Sequence, residues 1–191
     1  EHGRGGAGHT QLARLVRQTA KDQGKLAELS IVGSGDLDRQ VLEKMLPPFE
    51  HMLRNAVIHG LESPAEREVM GKPPTGSIRI AIRREGAEVV IDITDDGRGL
   101  DVLAIRRKAI ELGFVGKEAA LTDEEAMQFI LRSGFSTADQ LTQAAGRGIG
   151  MDVVANQVAK LGGTLSIASQ RSKGTTFTLR LPFTLAVTQA L

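Results

Sequence analysis

A glycine-rich segment at residues 146–150 is the strongest local signal for chemistry in this sequence. Gly146, Gly148 and Gly150 occupy every second position, and a helical pattern begins at Met151. Glycines let backbone N–H groups approach an anion closely, and a helix N-terminus adds free donors and a positive dipole end. The segment therefore predicts either a phosphate-binding loop or a flexible helix entry. Met151 stands where a dinucleotide-binding fingerprint has its third glycine, which excludes that motif.

A second cluster follows a predicted buried strand and consists of Asp95, Gly97 and Gly99. An ionised carboxylate only accepts hydrogen bonds, so Asp95 could receive one from the exocyclic amino group of adenine. Guanine would present a carbonyl oxygen there and be repelled. The same pattern also occurs in plain turns that close a strand with a solvated aspartate. On this motif alone, both interpretations stay open.

A third cluster is a polar stripe on the helix predicted over residues 48–60. His51, Asn55 and His59 are spaced by four, so they share one side of that helix. The amide oxygen of Asn55 is a hard ligand of the kind Mg²⁺ prefers, although the stripe could equally face water or a partner. A zinc site is disfavoured because the two histidines lie about 12 Å apart along the axis.

Composition narrows the class of protein. The 191 residues include 24 basic and 23 acidic side chains, giving a net charge of +1. Holding nucleic acid by counterion release needs an excess of basic charge, so no nucleic-acid partner is expected. The absence of Cys excludes disulfides, thiolate zinc sites and thiol nucleophiles. No apolar stretch approaches the roughly 20 residues of a membrane span, and no signal peptide is visible, so we expect a cytoplasmic protein without a membrane partner.

The elements that must position these clusters follow from apolar periodicity. The pattern predicts helices at 10–24, 36–45, 48–60, 101–112, 122–132 and 151–161, and strands at 25–32, 78–82, 89–93, 164–169 and 175–181. A loop rich in Pro and Gly spans 63–76. Strands joined by short turns, with helices between the hairpins, predict an α+β fold. We expect a two-layer α/β sandwich whose mixed, mostly antiparallel sheet is covered by helices on one face.

The joint order of the three clusters, with Gly174 and Thr175 entering the last strand, resembles the ATP-binding domain of the GHKL superfamily, the Bergerat fold. Within it, the sequence is most similar to CheA-type chemotaxis histidine kinases, and the hybrid members of type IV pilus systems look slightly closer. The similarity is carried by LDRQVLEKM, PFEHMLRNAVIHGLE, DDGRGLD, IRRKAIELG, GFSTADQLTQAAGRGIGMDVV and KGTTFTLRLPFTLA.

The resemblance also implies a division of the chain. Residues 1–24 would be a linker and the end of a dimerisation helix, and residues 25–183 the ATP-binding catalytic domain. Residues 184–191 would be the first strand of a receptor-coupling domain.

The resemblance implies a pocket for ATP and Mg²⁺. Asn55 would coordinate Mg²⁺, Asp95 would read the adenine amino group, and Gly97 and Gly99 would let the base lie against backbone. Amides of the glycine loop would hold the phosphates beneath a lid over residues 114–147. The remaining expected ATP-binding residues are Arg54, His59, Leu100, Ile105, Lys108, Ser136, Gly146, Gly148, Ile149, Gly150, Met151 and Thr175.

His51 is the expected catalytic residue. The ATP-hydrolysing relatives carry Glu at this position, four residues before the Asn, as a general base for water. Here Glu50 is turned by about 100° on the helix, away from the pocket. A kinase that phosphorylates histidine needs less base strength, because a neutral imidazole is already a nucleophile near neutral pH. His51 would therefore position and stabilise the γ-phosphate.

The implied activity is that of an ATP-dependent protein histidine kinase, which transfers the γ-phosphate to a histidine on a separate phosphotransfer domain. A response regulator would act downstream, and a coupling protein and chemoreceptors would join through the C-terminal domain of a homodimer. Ile58 and Ala104 replace the Asp and Lys usual in the family. The alternatives are a degenerate, regulatory ATP- or ADP-binding module and a structural domain without nucleotide. No histidine of this chain is expected to accept the phosphate.

Overall fold

One five-stranded sheet organises the computed structural model, which describes residues 6–33, 35–135 and 150–187. Its strands are β1 (Ala27–Val32), β2 (Gly76–Glu85), β3 (Glu88–Asp95), β4 (Thr164–Gln170) and β5 (Gly174–Pro182). They lie in the order β1-β2-β3-β5-β4. β1 runs parallel to β2 and the other neighbours are antiparallel, so the predicted mixed, mostly antiparallel sheet is confirmed.

Except for α4 and α8, the helices occupy the stretches that the periodicity predicts, with small changes at their ends. Their bounds are α1 (Gly6–Asp22), α2 (Asp36–Lys44), α3 (Leu46–Asn55), α4 (Pro64–Val69), α5 (Val102–Glu111), α6 (Asp123–Met127), α7 (Met151–Lys160) and α8 (Phe183–Val187). A π-helical turn (Ala56–Gly60) follows α3, and a 3₁₀ turn (Gln128–Leu131) follows α6.

The main core lies between one face of the sheet and the helices α1, α2, α3 and α7. Strand alternation turns isoleucines such as Ile80 and Ile91 toward Leu12, Phe49 and Val154, and all five are fully buried. The opposite face is polar: the side chains of Arg83 and Thr178 both donate to the carboxylate of Asp92. The predicted two-layer α+β sandwich is therefore confirmed.

A smaller core stands beside the main one and joins α5 to the 3₁₀ turn. Ile105, Ala109, Phe129 and Phe135 are its buried members. The side chain of Gln128 fixes this unit to the sheet, because its Nε2 donates to the carbonyl oxygen of Ile167 at 3.3 Å. A capping box of Thr122 and Glu125 starts α6.

The structure differs from the predicted elements in the Pro- and Gly-rich loop. That loop contains α4, whose first turn is closed by a capping box of Ser63 and Glu66 with Pro64 at the first helical position. Apolar periodicity does not predict this short helix, because the residue that it buries is Arg67, a charged side chain.

A second difference lies at the end of the described chain. The strand predicted over residues 184–191 is wrong for residues 184–187, which belong to α8, and α8 contacts α2, β3 and β5; residues 188–191 lie outside the described part. A strand needs a neighbour for its backbone groups, and β5 already pairs with β3 on one side and β4 on the other. A helix satisfies its own backbone, and Ala186 packs into the core. The domain division itself stays a prediction.

A buried ion network holds the loop after β3 against α4. Arg67 is 0% exposed; its Nη1 donates to Glu62 and its Nη2 to Asp96, both at 2.9 Å, and its Nε donates to the carbonyl oxygen of Pro73 at 2.6 Å. Lys72 pairs with the other oxygen of Glu62 and donates to the carbonyl oxygens of Asp96 and Gly97. Every charged group of the network is thus paired, which is the condition for burying it.

Removing Arg67 should leave Asp96 without its cationic partner and Glu62 with Lys72 alone. We expect Arg67→Met to lower the free energy of unfolding by about 3 to 5 kcal/mol, measured by urea denaturation. Arg83→Met removes an exposed guanidinium that also bonds two carboxylates, and should cost less than about 1 kcal/mol. Equal losses in the two variants would contradict the assigned role.

Candidate nucleotide-binding site

A cavity of about 300 Å³ opens beside the π-helical turn, at the end of β3 and the start of α7. This volume is in the range of small-molecule sites. Segments far apart in the sequence meet there, and the lining residues are Asn55, Ala56, His59, Gly60, Asp95, Gly99, Leu100, Ile130, Phe135, Gly150, Met151, Thr175 and Phe177.

Asp95 is a charged side chain in the cavity wall, and it is buried, since only 7% of its surface is exposed. The backbone N–H of Gly97 donates to its Oδ1 at 2.8 Å. Burial raises the pKa of Asp95 to about 6, and the negative charges of Asp96 and Glu62 add to the rise. Near neutral pH the group is mostly ionised, so the apolar cavity contains a carboxylate that a hydrogen-bond donor would stabilise.

The glycines near Asp95 are required by close backbone packing. A Cβ on Gly97 would overlap the carbonyl oxygen of Gly60, and one on Gly174 would overlap the carbonyl oxygen of Asp95. Gly97 does not line the cavity, whereas Gly99 does, with a φ of +75°. The structure thus gives Gly97 a packing role, and its contact with a base stays a prediction.

Asn55 and His59, two members of the predicted polar stripe, line the cavity. The Nδ2 of Asn55 donates to the sulfur of Met151 at 3.5 Å, so the amide nitrogen is oriented toward α7. A carboxamide oxygen at the wall of this cavity fits Mg²⁺, which takes few protein ligands. His59 lies at the rim, where partial burial, followed by the positive charges of Lys25 and Arg98, lowers its pKa.

His51 is placed differently from the other two stripe residues. It is half-buried one turn before Asn55 and does not line the cavity. Its Nδ1 is buried and has no hydrogen-bond partner among the residues that the structure describes. The imidazole therefore lacks the hydrogen bond that usually fixes a buried histidine.

The remaining predicted residues separate into three groups. Leu100, Gly150, Met151 and Thr175 line the cavity as expected. Arg54 is exposed, Ile105 belongs to the smaller core, and the Nζ of Lys108 lies 5.0 Å from the ring centre of Phe135, so none of these three is part of the lining. The last group lies outside the described residues and consists of Ser136, Gly146, Gly148 and Ile149.

Five lining residues were not predicted. Phe177 follows Thr175 by two positions on β5, so strand alternation could have revealed it. Ala56 and Gly60 reach the wall through the π-helical turn, which shows no sequence signal. Ile130 and Phe135 are brought there by the smaller core, where Phe135 lies 6.2 Å from Phe114 between ring centres.

The two residues that depart from the family pattern do not line the cavity. The carbonyl oxygen of Ile58 accepts a hydrogen bond from Lys25, and the backbone N–H of Ala104 donates to Asp101, which caps α5.

Within the described chain, no helix is both long and apolar enough to cross a bilayer.

The raised pKa of Asp95 predicts that replacing this residue by Asn increases the free energy of unfolding in a pH-dependent way. Because its folded-state pKa is about 6 against an ordinary 3.8, ionisation lowers the free energy of unfolding as pH rises through that window. Asp95→Asn cannot ionise, so at about pH 8 it should be more stable than the wild type by roughly 1 to 3 kcal/mol. At about pH 3.5 the difference should disappear, as urea denaturation across pH can show.

Asp101→Asn is the matched control, because its stability relative to the wild type should change with pH in the opposite direction. Hydrogen bonding from Ala104 holds the pKa of Asp101 below its ordinary value. The stability that Asp101 contributes is therefore present above that value and lost as pH falls, so Asp101→Asn should become less stable relative to the wild type as pH rises. The same pH trend in both variants would contradict the assignment at Asp95.

Comparison with known proteins relates the chain to ATPases and chemotaxis kinases. The family model described as histidine kinase-, DNA gyrase B-, and HSP90-like ATPase matches residues 46–185. Chemotaxis protein CheA of Rhizobium meliloti is 41% identical over 178 residues, which are 93% of this chain and 24% of that protein. The gliding motility regulatory protein of Myxococcus xanthus is 42% identical over 182 residues, 93% of this chain and 23% of its own length. The chain thus spans about a quarter of these relatives.

Among solved structures, full-length ShkA in complex with AMPPNP superposes with a TM-score of 0.53 at 20% identity, covering 95% of this chain and 30% of that one. This likeness concerns the fold alone. The matched family segment, in contrast, is more than half of the chain and includes every residue of the cavity wall. The chain belongs to the family of histidine kinase-, DNA gyrase B- and HSP90-like ATPases.

Proposed function

We propose that this chain is the ATP-binding catalytic domain of a chemotaxis-type sensor histidine kinase. In this role it transfers the γ-phosphate of ATP to a histidine on a separate phosphotransfer domain. The observation that carries the proposal is the buried carboxylate of Asp95 at the wall of an otherwise largely apolar cavity. The similarity to the chemotaxis proteins named CheA supports the kinase class.

Adenine selectivity follows from Asp95 and the apolar walls around it. The ionised carboxylate accepts a hydrogen bond from an amino group and repels the carbonyl oxygen of guanine. Apolar side chains offer the planar base a dry contact surface, and they are Leu100, Ile130, Phe135, Met151 and Phe177. The base therefore enters toward β3, with its amino edge on Asp95.

The phosphate end of the nucleotide faces α3 and α7. α7 begins at Met151 with Gly150 as its N-cap, and no side chain takes the capping position. A helix start of this kind presents amides and a positive dipole end to an anion. Asn55 is the residue that would hold Mg²⁺, and the bound ion would neutralise phosphate charge. The amides predicted from Gly148 and Ile149 lie outside the described residues.

His51 is proposed to act on the transferred phosphoryl group and not as a strong base. It is half-buried one turn before Asn55, the proposed Mg²⁺ ligand, and this spacing supports a role near the phosphates. Its buried Nδ1 has no hydrogen-bond partner among the described residues, so a protein hydrogen bond there does not fix the ring. In phosphoryl transfer, positioning and charge stabilisation supply most of the catalysis.

The proposal also includes the partners of the full-length kinase. A response regulator, a coupling protein and chemoreceptors are the proposed partners of a homodimeric, cytoplasmic full-length kinase. The competing function is a regulatory ATP- or ADP-binding module without turnover, which the substitutions at Ile58 and Ala104 suggested. Neither side chain lines the cavity, and this favours the kinase.

Nucleotide selectivity tests the binding half of the proposal. Calorimetric titration should show ATP binding strengthened by Mg²⁺ and no comparable binding of GTP. Asp95→Ala should weaken ATP binding at least about tenfold, because the cavity loses its acceptor for the amino group. Asp36→Ala removes an exposed carboxylate and should leave the affinity unchanged. Equal affinity of the wild type for ATP and GTP would refute adenine recognition by Asp95.

Transfer to a histidine tests the catalytic half. With radiolabelled ATP and an added phosphotransfer domain of a CheA relative, label should move to that domain and not to the isolated chain. His51→Ala should slow transfer at least about a hundredfold while ATP affinity stays within about threefold. His9→Ala, on α1, is the control. Parallel loss of ATP binding in His51→Ala would contradict the assigned role, and binding without transfer by the wild type would favour the regulatory module.

A further inference from the structure

The π-helical turn after α3 supplies three residues of the cavity wall. The N–H of Leu61 donates to the carbonyl oxygen of Ala56 at 2.8 Å, a bond that spans five residues. Ala56, His59 and Gly60 line the cavity from this turn. A turn of this kind is rare and often lies at a functional site, and contacts from outside the helix hold this one.

Lys25 provides the first of these outside contacts. It stands just before β1, and its Nζ donates to the carbonyl oxygens of Val57 and Ile58 at 2.8 and 2.9 Å. These carbonyls belong to the end of a helical segment, where carbonyl groups lack intrahelical donors and carry the negative end of the dipole. A cation is therefore the favoured partner, and Lys25 links the first strand to the turn.

Arg98 provides the second contact, from the loop after β3. Its backbone N–H donates to the carbonyl oxygen of Gly60 at 2.9 Å, and its Nη2 donates to that of Leu61 at 3.2 Å. Lys25 and Arg98 together bind four carbonyl groups within five residues of chain. Gly60, which they help to place, packs directly on Asp95, because a Cβ at Gly60 would lie 3.2 Å from the Oδ2 of that carboxylate.

The two cations come close enough to disfavour each other. Burial and then the charge of Arg98 lower the pKa of Lys25, while the carboxylates of Glu62 and Glu66 act in the opposite sense. Lys25 also faces His59 and lowers the pKa of that imidazole. This electrostatic cost is offset by the hydrogen bonds to the turn, so the free energy gained there is what keeps the cations in place.

We propose that Lys25 and Arg98 are positioning residues for nucleotide binding, which hold the π-helical turn so that His59 and Gly60 stay at the cavity wall beside Asp95. Neither side chain lines the cavity, and both act through backbone carbonyl groups. The inference rests on the proposed nucleotide function and assigns residues that the polar stripe and glycine clusters did not reveal. Lys25 also lies outside the segment that matches the family model.

Lys25→Met tests the inference, with Lys21→Met at the exposed end of α1 as the matched loss of one positive charge. At a temperature where both variants are folded, Lys25→Met should weaken ATP binding about tenfold, and Lys21→Met should leave it unchanged. Lys25→Arg can still donate to two carbonyls and should stay within about threefold of the wild type. If Lys25→Met does not fold, the same comparison is made with Lys25→Gln.

Two measurements without nucleotide separate positioning from general stability. In Lys25→Met the amides of Leu61 and Arg98 should exchange faster with solvent, while amides of the central strands keep their protection. The pKa of His59, followed by NMR, should rise because one of the positive charges that lower it is gone. Lys21→Met should change neither measurement.

The outcomes distinguish the inference from the proposed function. A wild type that binds ATP together with an unchanged affinity in Lys25→Met would overturn the positioning role and leave the proposed function standing. Uniformly faster exchange across the whole sheet would also overturn it, since Lys25 would then support overall stability. A wild type that binds no ATP would overturn the proposed function, and the inference would fall with it.

Discussion

The buried guanidinium of Arg67 is the interaction on which the site depends. Three carboxylates, Glu62, Asp95 and Asp96, converge where β3 ends, and this arrangement would be repulsive in a low-dielectric interior. Arg67 and Lys72 bind Glu62 and Asp96 and thereby fix the loop. Asp95 is left with backbone donors alone, turned to the cavity. This division of charge makes two carboxylates, Glu62 and Asp96, structural and leaves the third, Asp95, for a ligand.

Backbone contact is the second constraint, and it explains why glycines gather around a single side chain. Gly60, Gly97 and Gly174 come from three different segments, and a Cβ on any of them would meet Asp95 or the backbone next to it. The carboxylate is therefore enclosed mainly by peptide groups, which supply donors without side-chain bulk. A buried charge without an ionic partner lowers the stability of the fold. Such a stability cost is common at binding sites.

Most elements could be predicted because their apolar patterns agree with their final burial. The hairpin of β2 and β3 shows strict alternation, and α3 and α7 each present one apolar face to the sheet. Apolar periodicity does not predict α4, because the buried residue of this helix is Arg67, whose burial depends on carboxylates 5 and 29 residues away in sequence. The sequence pattern predicts one continuous helix across the π-helical turn, since the contacts that distinguish the turn come from the distant residues Lys25 and Arg98.

The α+β class, the positions of the strands and main helices, and the three clusters around Asn55, Asp95 and the glycines can be predicted from the sequence alone. These features are local, because they depend on periodicity, capping and residue type. Tertiary contacts, in contrast, bring Gly97 against backbone, keep His51 out of the cavity wall, and bring Phe135 and Phe177 into it. Those outcomes depend on which distant segments touch, and contact distances and charge pairing between such segments are not written in any local pattern.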